Sequence, residues 1–153
     1  KMGLFNFIKT AGQKVFGKKP EETQTEEEKQ LQAKELLAYV QSLGLEISNL
    51  TVIVSGQKVT VRGEVASQEI REKILLALGN VEGVAEVDDT ISVIVPAPEA
   101  KLHTVVSGDT LSKIAKTYYG NANDYNRIFE ANKPMLSHPD KIYVGQVLRI
   151  PQA

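Results

Sequence analysis

Residues 103–151 read HTVVSGDTLSKIAKTYYGNANDYNRIFEANKPMLSHPDKIYVGQVLRIP. Apolar runs at the two ends, residues 103–106 and 146–150, predict short strands. Apolar residues at helical spacing between them predict two short helices. Either Asp109 or Thr110 can cap the first helix, because its side-chain oxygen can accept a hydrogen bond from an N–H group of the first turn. Gly120 can end that helix, and Pro134 is expected to stop the second one.

The order strand, helix, helix, strand carries the motifs GDTL, IA, YG, AN and GQxLxIP. With these motifs the region resembles a LysM domain, a family whose members usually bind carbohydrate. In that family the loop that matches Gly108, Asp109, Thr110 and Leu111 helps to line the sugar groove. The same loop can also be only the capped turn that leads from a strand into a helix, and we favour that interpretation here.

The middle of the chain predicts a second module. Thr25-Glu26-Glu27-Glu28 is a capping box that starts a helix, and residues 50–54 and 58–65 alternate as the strands of a hairpin. Ser67 can cap a helix that ends at Gly79, and a strand follows over residues 84–95. This αββαβ order implies a parallel strand pair inside a mixed sheet, and therefore an α+β fold. With the strings VTVRGEV and VEGVAEVDDTI, the region resembles a BON domain.

The predicted organisation has four parts. Residues 1–20 are predicted to form an amphipathic helix docked on the BON domain, which covers residues 23–95. Residues 96–101 are a linker, and residues 102–153 are the LysM domain. The helix prediction depends on the apolar residues Leu4, Phe5, Phe7, Ile8, Ala11, Val15 and Phe16. A basic helix on a membrane surface is the alternative, but exposed phenylalanines are costly, which favours docking.

Charge and composition disfavour several classes of function. The chain has 18 Lys and Arg against 19 Asp and Glu, so nothing indicates a nucleic-acid partner. It has no Cys and 2 His, which argues against disulfides, thiolate chemistry and transition-metal ligation. Neither His103 nor His138 has a catalytic carboxylate or nucleophile suggested by sequence. Asp88 and Asp89 point to opposite faces of a strand and are expected to be edge charges. We therefore expect that the protein is not an enzyme.

The first residues of the sequence indicate the cellular compartment of the protein. Asn6, Lys9 and Gln13 interrupt the apolar residues, and this is not typical of a signal peptide. The sequence has no apolar run long enough to cross a bilayer. We therefore expect a cytoplasmic protein that has neither the membrane nor peptidoglycan as a partner.

Three strings spread along the chain are similar to the family of bacterial cytoplasmic potassium-binding proteins: MGLFNFIKTAG, EKILLALGNVEGVAEVDD and YGNANDYNRIFEANKPML. The resemblance implies a monomer that binds one K⁺, becomes more compact and is linked to osmotic or salt stress. It also implies that main-chain carbonyl oxygens hold the ion, from Ile8, Lys9, Ala11, Gly79, Val81 and Val84.

The turn after the second BON helix is physically suited to this role. A helix C-terminus presents unpaired carbonyls with negative partial charge, and Gly79 and Gly83 permit unusual backbone angles. Carbonyl oxygens can replace the hydration shell of K⁺. The same turn can also be an ordinary connection between a helix and a strand. The remaining alternatives are a glycan-binding or envelope-associated module and a membrane-surface adaptor.

Overall fold

The structure is a computed structural model that describes residues 3–21 and 23–152. It has the α+β class that the sequence predicts, with one four-stranded and one two-stranded sheet. None of the helices in these ranges is long and apolar enough to cross a membrane. The elements in chain order are β1 (Gly3–Asn6), α1 (Glu26–Ser42), β2 (Ser48–Ser55), β3 (Lys58–Ser67), α2 (Gln68–Gly79), β4 (Glu86–Val95), β5 (Lys101–Thr104), α3 (Leu111–Tyr119), a 3₁₀ turn (Ala122–Asp124), α4 (Tyr125–Ala131) and β6 (Val147–Ile150).

Gly3–Asn6 form the strand β1 and residues 7–20 are not helical, so the predicted amphipathic helix over residues 1–20 is wrong. Residues 1 and 2 of that prediction lie outside the described residues. β1 pairs antiparallel with β4, where Phe5 lies opposite Val87. Phe5 and Phe7 both pack on the core, at the period of two that a strand produces. Pairing with β4 satisfies main-chain groups along the edge of the sheet, which a docked helix would leave unpaired.

The BON region has the predicted αββαβ order. With β1 of the N-terminal region at one edge, the sheet has the strand order β1-β4-β3-β2, and β3 and β4 run parallel with α2 as their connection. Thr25 and Glu28 make both hydrogen bonds of the capping box at α1. At the start of α2 the Ser67 hydroxyl accepts a hydrogen bond from the Ile70 N–H at 3.2 Å. Helices and strands enclose one apolar core, which includes Leu36, Val40, Val59, Val61, Ile74, Leu78 and Ile91.

One aspartate of β4 lies inside this core region, contrary to the sequence prediction. Asp89 was expected to be an edge charge, yet β4 is an inner strand and Asp89 is 0% exposed. Arg71 of α2 forms a buried ion pair with it and donates from Nε at 2.7 Å. Asp88 points to the other face, as expected for adjacent strand residues.

The LysM region has the predicted βααβ order, with α3 and α4 packed on the β5–β6 pair. Thr110, rather than Asp109, caps α3, because its hydroxyl accepts a hydrogen bond from the Lys113 N–H at 3.1 Å. Gly120 ends α3 at a φ of 78°, as predicted.

The second helix of this region, α4, ends at Ala131 with Asn132 as its C-cap, and Pro134 follows two residues after the cap, where proline cannot continue the helix. Asn132 follows the helix and donates from its side chain to the Ile128 carbonyl at 2.8 Å. This side-chain bond satisfies a carbonyl of the last turn that has no partner further along the helix.

Buried polar contacts join the two domains through α2 and β6. Arg149 of β6 donates to the Glu72 carboxylate of α2 at 2.8 and 2.9 Å. The Ala100 N–H, in the connecting segment, donates to the same carboxylate at 2.9 Å. Since Arg149 and Glu72 are both buried, this pair holds β6 against the BON helix.

Candidate cation-binding site

Residues 7–13, which we call the N-terminal arm, lie along residues 79–84, which we call the helix-end turn. Four main-chain hydrogen bonds join the arm to this turn and to the residue after it. They run from Phe7 N to Ala85 O at 2.8 Å, from Gly83 N to Lys9 O at 2.7 Å, from Gln13 N to Asn80 O at 2.8 Å and from Glu82 N to Gln13 O at 2.9 Å. The arm is therefore held on the turn by its backbone, even though it is not helical.

Two glycines permit this close approach. Gly12 has a φ of 123°, and a Cβ there would lie 2.6 Å from the Asn80 carbonyl oxygen. A Cβ at Gly79 would lie 2.1 Å from the ring of Phe7. Both distances are far inside van der Waals contact, so the arm can reach the turn only where these side chains are absent.

The structure brings the two halves of the predicted ligand set together. Ile8, Lys9 and Ala11 are in the arm, and Gly79, Val81 and Val84 are in the turn. The carbonyls of Ile8, Lys9 and Val81 accept hydrogen bonds from Ala11, Gly83 and Val84 at 3.0, 2.7 and 3.1 Å. No hydrogen bond within the described ranges reaches the carbonyl oxygens of the other three, Ala11, Gly79 and Val84.

The chemistry of these oxygens fits an alkali cation. Each carbonyl has two lone pairs, so a carbonyl that accepts one hydrogen bond keeps acceptor capacity. Gly79 is the last residue of α2, where the helix dipole adds negative potential. Glu82, the acidic side chain of the turn, is paired with Lys19 at 2.9 Å, and this contact lowers its pKa. The helix-end turn therefore presents neutral carbonyl oxygens, and its one carboxylate, that of Glu82, is already paired with a lysine.

A third segment reaches the arm from the LysM domain. At Gly145, whose φ is 91°, a Cβ would lie 2.8 Å from the Ala11 Cβ. Its neighbours Gln146 and Tyr143 hold two buried oxygens, Oε1 and the hydroxyl, that have no hydrogen-bond partner within the described ranges. Burial raises the pKa of Tyr143 to about 12, so its hydroxyl stays neutral. The sequence predicts a strand that begins at residue 146, but no local signal reports the contact between Gly145 and the arm.

Carboxylate-based metal ligation is not seen at this place. Among residues 3–21 and 23–152 there is no group of 3 or more His, Cys, Asp or Glu side chains that could hold a metal ion. The donors that the structure does assemble around the arm are main-chain and neutral side-chain oxygens. Such donors suit a large, weakly hydrated monovalent cation.

The loop considered for glycan binding is occupied by internal contacts. Leu111 is buried, and the Thr110 hydroxyl caps α3. The Asp109 carboxylate accepts a hydrogen bond from the Val106 N–H at 3.0 Å and lies 2.8 Å from His103 Nε2. His103 therefore has a carboxylate neighbour, and its other ring nitrogen lies 3.1 Å from the hydroxyl of Tyr118. Sequence spacing alone did not show that β5 and the turn bring these groups together.

Asp109 makes the LysM domain sensitive to acid. The Val106 N–H and then His103 lower its pKa below the ordinary value of 3.8. A lowered folded-state pKa contributes stability that is present above the unfolded value and is lost as pH falls through the folded value. We expect Asp109→Asn to reduce stability at pH 7 and to weaken its dependence on pH below about 4. Urea unfolding monitored by LysM amide signals from pH 7 to pH 2.5 measures this; parallel curves for the two proteins would contradict it.

The chain is similar in sequence to two known domain families and to known proteins. Residues 28–94 match the BON domain and residues 103–151 match the LysM domain, and neither of these is an enzyme family. The chain is 49% identical over 152 residues to "Potassium binding protein Kbp" of Escherichia coli, a match that covers 99% of both chains. An uncharacterized protein of Deinococcus radiodurans is 40% identical over 135 residues, which are 78% of this chain and 51% of that one. The chain therefore belongs to the family of the potassium binding protein, as the resemblance predicted.

Proposed function

We propose that the protein binds one K⁺ between the N-terminal arm and the helix-end turn. The proposed ligands are the carbonyl oxygens of Ile8, Lys9, Ala11, Gly79, Val81 and Val84. One observation supports the proposal: four backbone hydrogen bonds join the arm to the helix-end turn and Ala85, so the two segments that contain the proposed ligands are neighbours. The name of the Escherichia coli relative supports the identity of the ion.

The chemistry of binding is an exchange of oxygens. K⁺ loses water more readily than smaller cations, and carbonyl dipoles replace that water. The end of α2 adds the negative end of its dipole, and the glycines allow the chain to approach closely. Main-chain ligands also explain why no acidic motif accompanies the site. Replacement of one apolar side chain by another leaves such ligands in place.

Binding would also order the molecule. Ligands from two segments far apart in sequence require the arm to be docked, so the ion stabilises the docked state by mass action. Gly145 of the LysM domain packs on Ala11 of the arm, so the ordered state includes that domain as well. We therefore propose a monomer that becomes more compact with K⁺. Its place would be the cytoplasm, where changes in K⁺ concentration accompany osmotic or salt stress.

A titration with K⁺ and Na⁺ at constant ionic strength tests this proposal. We expect saturable binding of one K⁺ per chain by calorimetry, and at least about tenfold weaker binding of Na⁺, a difference of about 1.4 kcal/mol. Small-angle scattering should show a smaller radius of gyration in K⁺ than in Na⁺. The absence of K⁺ heat and of any K⁺-specific change in amide chemical shifts would overturn the proposal.

A further inference from the structure

Two asparagine side chains complete the outer edge of β6. One edge of this strand pairs with β5, so the N–H and C=O groups of alternate residues point away from β5. The Asn80 amide donates to the Val147 carbonyl and accepts from the Val147 N–H, both at 2.8 Å. The Asn132 amide makes the same pair of bonds to Arg149, at 2.9 and 2.8 Å. Each amide thus takes the place of a neighbouring strand.

The two asparagines differ in what else they contact. Asn132 follows α4, and its side-chain bonds, to Arg149 and to the Ile128 carbonyl, remain inside the LysM domain. Asn80 lies in the helix-end turn, is 3% exposed and follows α2 of the BON domain. Its main-chain carbonyl also accepts the bond from Gln13 of the arm at 2.8 Å. Asn80 alone of this pair therefore joins the arm, the end of α2 and a LysM strand.

We infer that Asn80 is a positioning residue that couples the cation site to the LysM domain, a proposal that rests on the function proposed above. Its side chain fixes β6 while its backbone fixes the arm, so a shift of the turn moves both. Coupling of this kind is reciprocal: docking of the LysM domain raises K⁺ affinity, and K⁺ tightens the docking. Asn80 itself contributes none of the six proposed ligand oxygens.

Asn80→Leu tests this coupling with little change in side-chain volume and none in charge. A leucine side chain neither accepts from the Val147 N–H nor donates to the Val147 carbonyl. We expect about tenfold weaker K⁺ binding and faster hydrogen exchange at the Val147 amide. The Arg149–Glu72 pair still joins the domains, so the variant should remain folded.

The response of the Val147 amide to K⁺ separates coupling from general destabilisation. In the wild-type protein, saturating K⁺ should raise the protection of this amide against hydrogen exchange. In Asn80→Leu it should not, because the bonds from the turn to β6 are gone. Asn132→Leu is the matched control: it should lower protection at Arg149, keep the K⁺ response at Val147 and leave K⁺ affinity within about twofold.

The outcomes separate this inference from the proposed function. A wild-type protein that binds no K⁺ overturns the function and, with it, the role of Asn80 in ion binding. Wild-type binding together with unchanged affinity in Asn80→Leu overturns only the coupling. Equal losses of affinity in the two variants also overturn it, because they indicate an effect on LysM stability rather than on the turn. A K⁺ response at Val147 that persists in Asn80→Leu overturns it as well, because the response then does not pass through the Asn80 side chain.

Discussion

Gly12→Ala is expected to weaken K⁺ binding by about 10- to 100-fold, because insertion of a methyl group into a packed contact costs about 1–3 kcal/mol. The added Cβ would lie 2.6 Å from the Asn80 carbonyl oxygen and 2.9 Å from the Glu82 N–H. Both are main-chain atoms, so no side chain can rotate away to relieve the clash. The arm must instead leave the helix-end turn, and the ligand set loses half of its oxygens. Calorimetric titration with K⁺ measures the loss.

Gly44→Ala is the matched control for this prediction. Gly44 also has positive φ, at 74°, but nothing lies within 4 Å of a Cβ there. The Gly44→Ala substitution should therefore only strain the backbone. It should lower the free energy of unfolding by about 1–2 kcal/mol and leave K⁺ affinity unchanged. If Gly12→Ala binds K⁺ as tightly as Gly44→Ala, the arm is not part of the site. Amide spectra of the LysM domain in both variants would show that the fold persists.

The arm is also where the sequence prediction of structure failed. Residues 4–16 carry apolar side chains that satisfy a helical stripe, but Phe5 and Phe7 also satisfy a strand period of two. Local pattern cannot separate these, because the deciding interaction is the pairing of β1 with β4 about eighty residues later. Gly12 supplies a weak signal against a helix, since glycine is unfavourable in a helix interior.

Elements with local end signals were predicted well. Thr25 with Glu28, Ser67 and Gly120 act at the positions that their sequence contexts indicate. A capping bond spans only a few residues, so the sequence alone contains both partners. The parallel pairing of β3 and β4 was also predictable, because a helix that connects two strands of one sheet makes them parallel.

The candidate site could be predicted mainly from the family resemblance. Main-chain ligands leave no side-chain motif, and the glycine turn alone is also typical of an ordinary connection. The contacts that join the domains, Asn80 with Val147 and Glu72 with Arg149, link residues distant in sequence and had no local signal. What identifies them is burial of polar groups, which only the folded structure shows.

Asp89→Ala is expected to lower the free energy of unfolding by about 3–5 kcal/mol, because removal of one partner leaves the other charge buried. Arg71 is 2% exposed and its guanidinium donates to the Asp89 carboxylate. The same carboxylate also accepts the Ile91 N–H at 2.9 Å, a bond that the variant loses. Urea unfolding measures the change, with an unchanged slope if the same surface is exposed.

Asp88→Ala is the control, and a paired replacement isolates the cause. Asp88 is 37% exposed on the opposite face and lies 3.9 Å from Lys58, so its loss should cost at most about 1 kcal/mol. Arg71→Met together with Asp89→Leu should recover most of the stability lost in Asp89→Ala, since apolar residues of similar volume can replace a buried ion pair. A double variant as unstable as Asp89→Ala would show that packing around β4, rather than the loss of the carboxylate beside Arg71, sets the cost. The two aspartates are adjacent residues on opposite faces of one strand. The difference between the unfolding free energies lost in Asp89→Ala and in Asp88→Ala therefore measures the effect of burial on the same substitution.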